Sequence, residues 1–100
     1  MQRKRKPSRQ ALVLFTALLA DQSAWRHGYD LSRETGLASG TLYPLLARLQ
    51  AGGLLEAEWQ VSAEPGRPSR HAYRLTAEGR SIAREATQAQ PMMILKGALA

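Results

Sequence analysis

Residues 28–59, GYDLSRETGLASGTLYPLLARLQAGGLLEAEW, constrain the fold of this chain more than any other stretch. Residues 29–35 read as a short helix that stops at Gly36, a residue suited to the left-handed conformation that ends helices. Ser39 stands where an N-cap belongs, its hydroxyl able to satisfy a free backbone N–H of the next helix. Leu42, Leu45, Leu46 and Leu49 follow at i, i+3, i+4 and i+7, so one face of that helix is apolar. Gly52 and Gly53 end it. Two short helices meeting at a turn make a helix-turn-helix whose second helix has one face for the core and another free to enter a groove.

The flanks supply what such a unit needs. Ser8, after Pro7, is placed to cap a first helix ending near residue 19 or 20, with Leu12, Phe15, Leu18 and Leu19 at helical spacing. A basic MQRKRK, the apolar run 11–20 and then DQSA imitate a secretory signal peptide. The run is far too short to span a bilayer, and its spacing suits a packed core helix, so no membrane partner is expected. Residues 21–24 read as a polar turn, and Trp25 and Arg26 as a short first strand. Along 54–61, Leu55, Ala57, Trp59 and Val61 alternate with Glu56, Glu58 and Gln60, which predicts a strand with one apolar side. Residues 71–75 return, with Tyr73 and Leu75 opposite in phase to Ala72 and Arg74. The intervening 62–70, SAEPGRPSR, is longer than a tight turn needs and reads as a wing. Thr76 can cap a last helix over residues 77–88, with Glu78 placed favourably against its dipole. Pro91 breaks or kinks that helix, and the final PMMILKGALA is apolar enough to need a partner or to fold back.

One hundred residues support one small domain. Lys and Arg number 14 against 8 acidic residues, a net charge of +6, and no carboxylate precedes Asp21. Arg3, Lys4, Arg5, Lys6 and Arg9 make the first residues a basic arm, suited beside a helix-turn-helix to a phosphate backbone. The absence of cysteine excludes disulfides, thiolate zinc sites and a catalytic thiol, and fits a cytoplasmic setting. Nothing points to an enzyme. His27 and His71 lack metal-ligand spacing, Ser69-Arg70-His71 has no carboxylate partner or oxyanion loop, and there is no GxxxxGK[ST] phosphate loop. No cofactor or metal is expected.

Double-stranded DNA is therefore the expected partner. At the start of the recognition helix, Ser39 and Thr41 can bond a phosphate or a base, Gly40 permits close backbone approach, and Tyr43 offers a phenol and a ring. Ser39 can equally serve only as a cap, and Tyr43 can pack against the preceding helix. Pro44 forfeits a backbone hydrogen bond and crowds the Gly40 carbonyl, so it is expected to bend the first turn or shift the helix start. Arg48, one turn on, can reach phosphate or sit in solvent. Arg67 and Arg70 bracket Pro68 in the wing, where prolines lower the entropy lost on docking and arginines suit phosphates or a narrow minor groove.

In order and spacing, GYDL at 28–31, SGTLYPLLARL at 39–49, GLLEAEW at 53–59 and GRPSRHAYRLTAEG at 66–79 resemble the PadR family of winged-helix transcriptional regulators. TLYP at 41–44 is the specific part, and the likeness runs over residues 11–86. It implies a mainly α fold with a small β-hairpin: basic arm 1–7, winged helix-turn-helix 8–76, and C-terminal helix and tail 77–100 for dimerisation. Ile82, Ala86 and Ala89 share a face of that helix, and with Met93 they are the dimerisation candidates. The resemblance further implies a homodimeric repressor, and allows a small-molecule effector, for which Trp25 and Trp59 are candidates. A dimer presents two recognition helices to a near-palindromic site, with half-sites about 10 base pairs apart. The alternative is a protein-interaction module that uses the final helix and tail and has only non-specific DNA affinity.

Overall fold

The computed structural model describes residues 7–61, 64–66 and 69–89, and within them the chain forms four helices and three strands. Arg3, Lys4, Arg5, Lys6, Arg67, Pro68, Pro91 and Met93 lie outside the described residues. The order is α1 (Arg9–Leu19), β1 (Arg26–His27), α2 (Gly28–Thr35), α3 (Ser39–Ala51), β2 (Leu55–Gln60), β3 (Arg70–Leu75) and α4 (Ala77–Ala89).

Local chemistry opens and closes these helices. Ser8 caps α1, its Oγ accepting from the Ala11 N–H at 3.1 Å. α2 ends at Gly36, φ 74°, whose N–H donates to the Ser32 carbonyl. α3 ends with Gly53 at φ 80°: the Gly53 N–H donates to Gln50 at 3.0 Å and the Leu54 N–H to Leu49 at 2.9 Å. Only a residue without Cβ takes that left-handed backbone cheaply, and the paired bonds satisfy the last carbonyls of the helix. Thr76 opens α4. Its Oγ1 accepts from the Gly79 N–H at 3.0 Å and donates to the Gly53 carbonyl at 2.7 Å, so one hydroxyl joins the end of α3 to the start of α4.

The sheet is antiparallel, in the order β1-β3-β2. Its register places Leu55, Ala57 and Trp59 opposite Leu75, Tyr73 and His71 on one face. Glu56, Glu58 and Gln60 sit opposite Arg74, Ala72 and Arg70 on the other. The first face closes on the helices: Leu55, Tyr73 and Leu75 join Leu14, Phe15, Leu18, Leu31, Leu42, Leu45 and Leu46 in a single core. The leucine spacing of α3 therefore does what it predicts, with Leu49 packed at the margin.

Three expectations need correction. The first strand is Arg26–His27, one residue later than predicted. Arg26 and His27 pair with Tyr73 and Ala72, and the Arg26 guanidinium is drawn inward to the Ala17 carbonyl at 3.0 Å and to Glu34. α3 is capped by Ala38 rather than Ser39 and runs through Pro44, which does not delay its start. The reason lies in the turn: Ser32 Oγ donates to the Leu37 carbonyl at 2.7 Å and Leu37 N–H donates to Thr35 Oγ1 at 3.2 Å. These bonds fix the turn so that the Ala38 carbonyl already accepts from Thr41 and Leu42. The predicted apolar side of β2 outruns the core, leaving Trp59 65% and Val61 84% exposed. His71 is half-buried beneath Trp59.

α4 packs on α1. Ala83 is fully buried there, Ile82 and Ala86 partly so, and Ala89 is exposed. No helix among the described residues is long and apolar enough to cross a membrane.

Candidate nucleic-acid interface

The first turn of α3 projects from the surface. Ser39, Gly40 and Thr41 are exposed together, and the Ser39 hydroxyl, freed from capping, makes no hydrogen bond among the described residues. Opposite them Leu42 is completely buried, so this end of the helix is held rigidly by the core while its outer side stays open. α3 contains no carboxylate, and its one charge is Arg48, also exposed. Backbone N–H groups at a helix start, together with its dipole, favour an anion, and nothing on α3 opposes one.

Tyr43 packs against the preceding helix and still reaches the surface. It is 46% exposed, yet its ring lies against Gly28 at the start of α2, where a Cβ would meet Cε1 and Cζ at 2.8 Å. Gly28 is thus a seat for the tyrosine. A short residue before a predicted helix carries no mark of this in sequence. Tyr43 also neighbours the buried Tyr73, whose ionisation is pushed above its ordinary range, first by burial and then by the Tyr43 phenol.

Arg48 lies further along α3, where it lines a groove of about 430 Å³ together with Pro7, Ser8, Ala11, Leu49 and Ile82. The point at which the basic arm joins the described chain is therefore beside α3. Arg70 is exposed at the start of β3, on the wing. On α2, Tyr29 is 65% exposed and the Arg33 guanidinium stands 5.8 Å from its ring centre. α2 is electrically mixed, because Asp30 and Glu34 border a second groove with Arg26 and Arg33.

The two tryptophans are not brought together. Trp25 lies under the Arg74 guanidinium, 4.2 Å from it, and Arg74 is also paired to Glu56 at 2.9 Å on the polar face of the sheet. Trp59 stands on the opposite face against His71, with ring centres 3.9 Å apart. Register, which sequence alternation suggests but does not complete, is what separates them. Among the described residues no group of His, Asp and Glu side chains is arranged to hold a metal.

A helix-turn-helix followed by a β-hairpin wing, on a sheet completed by a short first strand, defines a winged-helix protein. The pattern of the Transcriptional regulator PadR-like family matches residues 17–85, and the chain belongs to that family. The chain is 45% identical over 64 residues to Transcriptional regulator Rv3488 of Mycobacterium tuberculosis (strain ATCC 25618 / H37Rv), covering 64% of this chain and 51% of that one. It thus spans about half the length of that curated relative. A PadR-like transcriptional regulator from Bacillus cereus strain ATCC 14579 superposes with a TM-score of 0.65 at 26% identity, over 85% of this chain and 86% of that one. The PcaV transcriptional regulator from Streptomyces coelicolor, solved with its natural ligand, shares the fold at a TM-score of 0.69 and 22% identity, over 90% and 60% of the two chains.

Proposed function

We propose that this chain binds duplex DNA as a homodimer and represses transcription by occupying a near-palindromic operator. The observation that carries the reading is the start of α3: an exposed, carboxylate-free helix N-terminus bearing Ser39, Gly40, Thr41 and a Tyr43 seated on Gly28. Side chains at that end of a recognition helix reach base edges, while the free backbone N–H groups favour a phosphate. Arg48 and Arg70, with Arg67 and the basic arm, add sequence-independent attraction to the backbone. Ile82, Ala86, Ala89 and Met93 join two copies, in keeping with the implication of the family. Two recognition helices related by a two-fold axis then meet half-sites about 10 base pairs apart.

Selection of bound sequences from a random duplex library tests this reading. Recovery of an inverted repeat with half-sites about one turn, roughly 10 base pairs, apart supports it. An unenriched pool, bound only at low salt, leaves non-specific electrostatics and overturns it.

A further inference from the structure

The wing hairpin carries an aromatic surface that neither the core nor the recognition helix accounts for. Trp59 is 65% exposed, and its ring rests on His71 with centres 3.9 Å apart and planes inclined by 31°. His71 in turn meets the edge of Tyr73 at 5.8 Å and 66°. Val61, 84% exposed, comes two residues after Trp59. The register puts Trp59, His71 and Tyr73 on one face of the sheet, and Tyr73 belongs to the core that also holds Leu42, Leu45 and Leu46 of α3. The row therefore leads outward from the core beneath the recognition helix along the wing.

Charge is sorted between the two faces of this hairpin. Both carboxylates of β2 are on the reverse side, Glu56 paired with Arg74 and Glu58 accepting from Gln60 Nε2 at 3.2 Å. The strand residues on the aromatic face, Leu55, Ala57, Trp59, His71, Tyr73 and Leu75, carry no carboxylate at all. A polyanion can approach that face of the hairpin without meeting a carboxylate of either strand, whereas the reverse face presents Glu56 and Glu58 beside Arg70 and Arg74. An indole held on one side by an imidazole is preordered, so little conformational entropy is lost when its other side is covered. Bases within a duplex are already stacked, so the apolar surface that a duplex offers to such a ring is the deoxyribose edge.

We infer that the Trp59–His71 pair is a DNA-contacting shelf, with the open side of the indole packed on the deoxyribose edge of the strand beside the base pairs met by α3. This rests on the DNA-binding reading above. The contact is to sugar, so it strengthens binding to any sequence and positions the wing without reading bases.

The test uses the full chain with Trp25→Phe, which leaves Trp59 as its only indole. It is titrated with two 30-base-pair duplexes, the selected repeat and a random sequence, while emission and acrylamide quenching are followed. The shelf requires both duplexes to shield Trp59 from acrylamide. Trp59→Ala should then weaken both about tenfold, equivalent to ~1.4 kcal/mol, and Trp59→Phe should retain most of the affinity. Binding of a duplex with Trp59 emission and quenching unchanged overturns the shelf and leaves the regulatory reading standing. Failure of the unaltered chain to bind either duplex overturns both. Because shielding is read in a folded protein with the shelf intact, the result does not depend on whether Trp59→Ala folds.

Discussion

The phenol of Tyr43 in α3 fills the space that a side chain on Gly28 of α2 would need, with Cε1 and Cζ both 2.8 Å from the position of that missing Cβ. The two helices of the helix-turn-helix are thus keyed to each other by a ring on one and a bare α-carbon on the other. Tyr43 is half-exposed while seated there, so its outer edge is aimed by the same contact.

Gly28→Ala follows directly. Gly28 has no positive φ, and the obstructing atoms are the far end of a side chain, so the ring can swing away. Stability should fall by less than about 1 kcal/mol, whereas affinity for a selected duplex should drop about tenfold as Tyr43 loses its aim. Thermal unfolding beside fluorescence anisotropy separates the two effects. A large stability loss with unchanged affinity would show that the seat serves folding alone.

Gly79→Ala should behave in the opposite way. A Cβ there meets the Leu54 backbone, with the carbonyl carbon at 2.8 Å, and backbone cannot rotate aside. α4 must lift from the α3–β2 junction, at a cost of about 2–3 kcal/mol. Thr76→Ala, which removes the cap and its bond to Gly53, should cost about 1 kcal/mol. Urea unfolding of both variants checks the order. A Gly79→Ala chain as stable as the parent would mean the close approach of α4 to Leu54 is wrong.

Buried Tyr73 ties stability to alkaline pH. Burial and the Tyr43 phenol raise its folded-state pKa above the ordinary value of 10.0, so the unfolded chain releases this proton first. Its contribution is fully present below about pH 10 and is lost as pH rises through the folded-state value. Stability should therefore fall above about pH 10, and less steeply in Tyr73→Phe. Identical alkaline profiles for the two chains would remove Tyr73 as the cause.

Arg48 and Arg70 are exposed cations on α3 and at the wing base. If each neutralises one phosphate, each Ala substitution should weaken selected and random duplexes alike. It should also lower the slope of log affinity against log salt by about 0.9. A parent-like slope for Arg70→Ala would take the base of β3 out of the interface.

What could be read from sequence was whatever depends on near neighbours. Ser8 and Thr76 announce helix starts, Gly36 and Gly53 helix ends, and the four leucines of α3 its buried face, because each acts within a turn or two of itself. Ser39 misled because the side chains of Ser32 and Thr35, which carry no obvious turn signal, bond to the Leu37 backbone and fix a turn in which Ala38 is the cap. Gly28 and Gly79 look like any other glycine until Tyr43 and Leu54 are folded against them. Trp59 sits on the apolar side of β2 as its alternation predicts. That this side leaves the core before Trp59, and that His71 lies across from it, are matters of strand length and register.

The measurement that bears most directly on the central reading is the ratio of affinities for the selected duplex and a scrambled one, taken for the parent chain and for Tyr43→Ala. If the start of α3 meets base edges, Tyr43→Ala lowers affinity for the selected duplex about tenfold or more while changing the scrambled one little, and the ratio collapses. Equal losses on both duplexes, with the ratio intact, would contradict direct reading by Tyr43 and leave it a backbone contact.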